Sequence, residues 1–472
     1  MTSTAPNGAS DAPPLDLIVV GAGLSGLVAA FRAQRAGLKV LVIESASRPG
    51  GVIGSVQRDG FLFERGPNSA MDTSPLIGEL VADLGLQQQL RWASAAADKR
   101  YVVRGGQLIP LPMSPGAFVS TPLFSGGAKL GLLAEAFKPA SDPQVEESIA
   151  AFVRRRLGQE FLDYAIDPFV SGIYAGDPQQ ISVRAAFPKL HALEQRWGSL
   201  IRGQILGARE RKRAKEKAKN TAKSFSFLGG MQTLTDALAK ALGGVMLNTR
   251  ATGLARGLDG LTTVQAEQHG QGVSWRARHV VLAVGAAAAA DLVRPHAADA
   301  AAALGAIDYA PVASVASAYS ASDIVHPLDG FGCLLPSLEQ RRVLGVLFSS
   351  SMFEARAPAG SVLLTTFIGG RRHPDLAGLP EDKIAALAHG EHGALLGTRG
   401  APRWQEVTRW QRAIPQYTLG HLSRVARAQV VERALPGVHL CASWLGGVAV
   451  GDCVRNGHQA GQAVVAATAG RG

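Results

Sequence analysis

Gly21, Gly23 and Gly26 form a G-x-G-x-x-G spacing directly after an apolar run, and Glu44 follows about 20 residues later. That spacing cradles a diphosphate. Gly21 permits a tight turn, Gly23 lets backbone approach the pyrophosphate, and Gly26 lets a helix pack closely on a strand. The free N–H groups and positive dipole end of the helix then face the anion. Glu44 stands where a carboxylate accepts hydrogen bonds from ribose hydroxyls. Arg48-Pro49-Gly50-Gly51 comes next, a cation and two small residues just past the acidic strand end. The chemistry indicated is dinucleotide binding.

The elements needed to hold these residues are legible around them. Residues Asp16 to Val20 read as a buried strand, Leu27 to Ala36 as a helix, and Lys39 to Ile43 as a second strand. Phe225 to Leu242 reads as a glycine turn feeding a helix, and the runs Val245 to Asn248 and Val280 to Val284 read as further strands of the same sheet. Near the C-terminus, Val438 to Ala442 reads as a strand, Gly446 to Gly451 as a glycine-rich turn, and Asp452 to Ala467 as a helix whose N-terminus could face the same anion. Asp452 has two readings, acceptor for a ribityl hydroxyl or helix cap, and both can hold at once.

Between these segments the chain changes character. Prolines 110, 112, 115 and 122 precede helical stretches near Gln144 to Leu157 and Gln159 to Phe169, which suggests an inserted helical domain. Phe118, Val119, Leu123, Phe124, Leu130, Leu132, Leu133 and Phe137 cluster there with little charge and suit either a core or a membrane-facing surface. The runs Val312 to Tyr319, Val343 to Leu347 and Ser361 to Ile368 suggest a mixed-sheet substrate domain. The expected architecture is α/β: a discontinuous Rossmann-like domain (13–90, 225–298, 425–472), a helical insertion (91–210) and a substrate domain (299–424). Residues 1–12 and the basic run 209–223 are expected to be flexible.

Composition narrows the remaining classes. With 47% apolar and 18% charged residues, the chain has the make-up of a globular protein. A net charge of +11 comes with no zinc-finger spacing, RNP-type aromatic pattern or basic heptad region, which argues against nucleic acid. Cys333, Cys441 and Cys453 lie far apart without a CxxC, so a reducing cytoplasm fits and neither disulfides nor a metal is expected. Met1 to Pro14 has no basic or apolar core of a targeting peptide, and no run reaches the ~20 apolar residues of a membrane span. No HExxH or buried-strand GxSxG occurs, so the chemistry must come from the bound dinucleotide.

The chain resembles the FAD-dependent protoporphyrinogen oxidases, a group that includes coproporphyrinogen oxidases, over nearly its whole length. The resemblance rests on Phe63-Glu64-Arg65-Gly66-Pro67-Asn68-Ser69, Asp98-Lys99-Arg100-Tyr101, the run Asp167 to Pro178 (DPFVSGIYAGDP), Gly330 to Pro336 (GFGCLLP), Leu344 to Ser350 (LGVLFSS) and Thr365 to Gly370 (TTFIGG). It implies non-covalent FAD held by Gly21, Gly23, Gly26, Glu44, Arg48, Gly50, Gly51, Gly66, Pro67, Asn68, Trp444, Gly451, Asp452 and Val454. It also implies a porphyrinogen propionate on Arg100, the macrocycle clamped by Leu334, Leu347 and Phe367, and Gly172 at the reacting edge. Dioxygen is the implied acceptor, and a peripheral membrane contact and a homodimer are compatible with the resemblance. The chain has Ala442-Ser443-Trp444 where many members have Gly-Asn-Tyr, and Gly451-Asp452-Cys453 where several have Gly-Arg-Cys. The rival readings are coproporphyrinogen III as substrate, an amine oxidase or desaturase on the same fold, and a flavin-binding scaffold without turnover.

Overall fold

A computed structural model describes residues 13–213 and 223–470. Leu15–Val20 forms a strand buried at its C-terminal end, where Gly21 turns the chain at φ +103° into the Leu24–Arg35 helix. The helix starts three residues earlier than the sequence suggests. Gly26 therefore lies in its first turn, where an added Cβ would sit 2.1 Å from the Gly21 carbonyl oxygen. Val40–Ile43 returns parallel to the first strand, and Gln271–Leu282 flanks it on the other side, also parallel. Val438–Leu440 adds beside Gln271–Leu282, and Thr262–Gln268 and Thr249–Arg256 extend the sheet antiparallel. The expected strand at 245–248 is reduced to one bridge, Ile43 to Met246. Ser224–Phe227 joins a separate three-stranded sheet with Ala70–Met71 and Leu90–Trp92.

The second large sheet has seven strands in the order Trp404–Pro415, Tyr309–Ser320, Ser361–Gly369, Val343–Leu347, Gly330–Leu334, Lys99–Arg104 and Gln107–Pro110. This corrects the expected boundary of the helical insertion. Residues 99–110 are not helical: Gly105 and Gly106, at φ +59° and +75°, form a hairpin turn, and the hairpin docks on the sheet edge parallel to Gly330–Leu334. Helices occupy 115–213 instead, and helix runs through Arg213, into the segment expected to be flexible. Residues 1–12 and 214–222 lie outside the described residues.

Two close approaches hold the dinucleotide sheet's helices. The C-terminal helix, Val450–Ala469, lies against Leu24–Arg35, and a Cβ on Gly457 would stand 2.4 Å from the Ser25 carbonyl oxygen, one on Gly461 2.8 Å from that of Ala29. Neither position has room for a side chain. Gly457→Val is expected to force the helices apart and cost ~1–3 kcal/mol, the usual range for overpacking. Thermal unfolding checks this, and an unchanged melting temperature would contradict the packing argument.

Candidate functional site

The first glycine turn has the make-up of a pyrophosphate cradle. An added Cβ on Gly23 would meet no atom within 4 Å, so the backbone there faces open space, and the helix it caps has no side-chain cap. Its first-turn N–H groups have no intrahelical acceptor. Glu44 Oε2 accepts the Ala22 N–H at 2.8 Å and Oε1 accepts that of Ala46 at 2.8 Å, so the carboxylate is fixed at the strand end beside the turn. The Gly50 N–H donates to the Ala22 carbonyl at 2.8 Å, and a Cβ on Gly51 would come 3.3 Å from the Gly23 Cα. These residues fit the phosphate and ribose parts of a dinucleotide.

Arg48 does something other than present a free cation. Its guanidinium donates to the carbonyls of Ile53 at 2.6 Å, Gly51 at 2.9 Å and Pro49 at 3.1 Å, bracing the 48–53 loop. Burial, then the neighbouring Arg65, holds its pKa below the usual range. The Arg65 guanidinium faces Glu406 at 3.7 Å. The Arg65 carbonyl accepts the Trp410 indole N–H at 2.7 Å and the Ser314 hydroxyl at 3.4 Å, tying residues 65–68 to the seven-stranded sheet. Asn68 and Ser349 line one small cavity with Phe63, Met352, Phe353 and Arg356, where the two parts of the protein meet. Pro67 lies between Asn68 and Gly66, and a Cβ on Gly66 would collide with the Val52 carbonyl oxygen at 2.0 Å.

Of the C-terminal residues expected at the flavin, Trp444 and Val454 have side chains buried in core. Trp444 is fully buried in the core beneath the dinucleotide sheet, with its indole N–H on the Val284 carbonyl at 3.1 Å. Val454 is buried in the core shared with the first helix. A Cβ on Gly451 would face Thr73 Oγ1 at 3.0 Å. Asp452 displays the capping role: Oδ2 accepts the Ala449 N–H at 3.3 Å and Oδ1 pairs with Arg455 at 2.8 Å. The turn itself is held by Tyr417, unnoticed in the sequence because it belongs to no motif. Its hydroxyl donates to the Ser443 carbonyl at 2.6 Å and accepts the N–H groups of Gly446 and Gly447 at 3.2 and 2.7 Å. His421 stacks on Tyr417 at 4.1 Å and donates from Nε2 to the Trp444 carbonyl at 3.0 Å.

Strand register brings the four expected substrate residues onto one sheet face. Arg100 pairs with Gly332, which pairs with Leu347, which pairs with Thr365; in the next row Leu334 pairs with Gly345, which pairs with Phe367. Residues two apart on a strand share a face, so Arg100, Leu334, Leu347 and Phe367 all point the same way. The opposite face, with Tyr101, Cys333, Val346 and Ile368, is core. Leu334, Leu347 and Phe367 are half-buried, whereas Arg100 is exposed with its guanidinium 5.4 Å from the centre of the Phe331 ring. Gly332 and Gly345 carry no side chains on this face, and Leu334 Cδ2 lies over Gly345.

The Asp167–Tyr174 helix crosses this face. Buried Asp167 receives the Ser337 N–H at 2.6 Å and pairs with Arg372 at 3.1 Å, and Arg372 also donates to the Leu335 carbonyl at 2.7 Å. At the other end the Ala175 carbonyl accepts the Arg371 N–H at 2.7 Å. Gly172 is exposed on this helix, directly against Leu334. Among the described residues no cluster of His, Cys, Asp or Glu could hold a metal.

A model of the family described as flavin containing amine oxidoreductase matches residues 24–465. The mitochondrial protoporphyrinogen oxidase of Nicotiana tabacum is 32% identical over 477 residues, covering 95% of this chain and 94% of that protein. The coproporphyrinogen III oxidase of Bacillus subtilis (strain 168) is 28% identical, covering 94% and 96%. Cyclohexylamine oxidase from Brevibacterium oxydans IH-35A superposes with a TM-score of 0.69 at 19% identity, covering 97% of this chain and 100% of that one. A crystal structure of an Exiguobacterium sp. 255-15 protein does so at 0.81 and 24% identity, covering 98% and 100%.

Burial pushes the His421 pKa down to about 4, partly offset by its bond to Trp444. The folded value lies below the unfolded value of about 6.5, so the unfolded chain takes up this proton first. His421 therefore supports the fold above about pH 6.5 and that support is lost as pH falls toward 4, at up to ~1.4 kcal/mol per unit. His421→Gln keeps a donor for Trp444 and should flatten the fall of melting temperature between pH 6.5 and 4. Parallel curves for parent and variant would rule the effect out.

Proposed function

We propose, for a chain that belongs to the flavin containing amine oxidoreductase family, that it oxidises protoporphyrinogen IX to protoporphyrin IX with FAD and dioxygen. The observation that carries this reading is the sheet face itself: one arginine and three half-buried apolar side chains around a floor of two glycines. A largely apolar tetrapyrrole ring with carboxylate arms suits such a face. Coproporphyrinogen III, with more propionates, is the second reading, favoured by similarity to oxidases of that substrate.

A bound FAD supplies the acceptance of electron pairs from the substrate and their delivery to dioxygen. The residues of the chain do the rest. Arg100, at the rim, binds a propionate through a forked guanidinium contact and fixes which edge of the ring lies outward. Leu334, Leu347 and Phe367 hold the ring against the sheet, so that orientation is settled before electrons move. The Asp167–Tyr174 helix, tied at both ends, keeps that face narrow. Glu44 and the Gly21–Gly26 turn hold ribose and phosphate, while residues 65–68 bring the cofactor segment to the Phe367 end of the face.

A peripheral membrane contact is part of the proposal. Met113, Val119, Leu130, Leu133 and Phe137 are 67–83% exposed on the helical part, far above what a core would leave. No helix among the described residues is long and apolar enough to cross a bilayer. The parent should sediment with anionic phospholipid vesicles and a Leu133→Glu/Phe137→Asp variant should not; equal sedimentation of both would remove the contact.

A charge-assisted pair contributes on the order of 1.5–3 kcal/mol, so Arg100→Ala should lower kcat/KM for protoporphyrinogen roughly ten- to a hundredfold, with Arg100→Lys recovering only part. Steady-state rates with both porphyrinogens, read by porphyrin fluorescence, check this. No turnover of either by flavin-loaded protein would overturn the function, and unaltered rates in both variants would remove Arg100 from the site.

A further inference from the structure

We infer that Gly172 and Gly345 together form a slot that locks the side chain of Leu334, so that Gly172 is a positioning residue acting through Leu334. The inference rests on the proposed substrate face and concerns how that face is shaped. An ideal Cβ on Gly172 would lie 3.0 Å from Leu334 Cδ2, 3.7 Å from Cδ1 and 4.0 Å from Cγ, and would meet nothing else so closely. An ideal Cβ on Gly345, on the neighbouring strand, would lie 3.2 Å from the same Cδ2. One methyl group thus fills the space that two missing side chains leave, one in the helix above and one in the strand beside it.

The consequence is conformational. Leu334 is half-buried, paired in register with Gly345 on one side and Val102 on the other, and Gly332 lies two residues before it on the same strand. Unrestrained, its isobutyl group could swing along the face that the ring needs. With Cδ2 seated over Gly345, between helix and strand, the side chain is confined to one rotamer and does not swing along the face toward Gly332. The helix cannot yield to relieve a larger residue at 172, because Asp167 and Ala175 tie its ends to Arg372, Ser337 and Arg371. A side chain at 172 or 345 therefore displaces Leu334 rather than the helix, and the displaced group enters the ring's space.

A double-mutant cycle tests this, because coupling between residues in contact appears as non-additivity. Gly172→Ala should lower kcat/KM for porphyrinogen about tenfold in the parent, mainly through KM, and by no more than about twofold in a Leu334→Ala background. Flavin content and melting temperature of each variant show that the fold is retained. The same fold-loss in both backgrounds would overturn the inference and make Gly172 a direct contact of substrate or cofactor. Gly345→Ala should behave like Gly172→Ala; its Cβ would also stand 2.9 Å from the Cys333 carbonyl, so should that variant fail to fold, the Gly172 cycle decides alone. If the parent oxidises no porphyrinogen, the proposed function fails separately. Crystal structures of the parent and Gly172→Ala then decide, an unmoved Leu334 side chain overturning the inference.

Discussion

Glu64 is the point through which the cofactor segment and the substrate sheet are held together. It is 2% exposed, receives the Ser55 hydroxyl at 2.5 Å and the Met231 N–H at 3.0 Å, and pairs with Arg356 at 2.7 Å. Arg356 in turn donates to Ser226 at 2.6 Å, and its carbonyl accepts the Leu62 N–H at 3.1 Å. Three stretches distant in sequence, 55–64, 226–231 and Arg356, thus converge on one carboxylate. A buried charge so fully bonded costs little while complete, whereas removing one partner leaves several kcal/mol of uncompensated desolvation. The position of residues 65–68, and so the join between cofactor and substrate faces, follows from this pair. Gly230 follows too, since a Cβ there would sit 2.3 Å from the Ser55 hydroxyl.

The substrate face depends on register. A strand's side chains alternate, so a one-residue slip would exchange the Arg100, Leu334, Leu347 and Phe367 set for Tyr101, Cys333, Val346 and Ile368. The core on the opposite face and the glycines at 332 and 345 prevent that slip from both sides. At Gly332, φ is +146° and a Cβ would meet the Val346 carbonyl at 2.2 Å, so the close strand approach there admits only glycine. The same absence of side chains that allows the approach leaves the floor flat.

Much of this was legible in the sequence where a local pattern carries it. The βαβ unit around Gly21 to Glu44 and the strands at 309–320, 343–347 and 361–369 follow from periodicity and glycine placement, and fall within a few residues of expectation. The 99–110 hairpin did not, because its partner strand is more than 200 residues away and only that pairing makes it part of the sheet. Motifs marked where to look but not what each residue does. Trp444 sits in the C-terminal motif yet packs in the core, and Arg48 lies in a phosphate-binding pattern yet spends its donors on its own loop. Tyr417 and the Asp167–Arg372 pair carry the converse lesson. Each holds a turn or helix by long-range bonds that no spacing announces.

These constraints fix a direction across the site. From the strand of Arg100 to that of Phe367 is three strand-to-strand steps, about 14 Å at the usual spacing. The cation stands at one side, and the segment 65–68, tethered to Ser314 and Trp410, meets the sheet at the other, where Phe367 pairs with Ser314. A ring bound by a carboxylate arm at Arg100 therefore extends its opposite carbons toward the cofactor end. The helix bearing Gly172 runs over Leu334, which shares its row with Phe367, and bounds the ring from above. In the proposed function, orientation then needs no acid, base or metal from the chain: a single forked contact at Arg100 would set which edge is outward, and the apolar face of Leu334, Leu347 and Phe367 would carry that choice to the far edge.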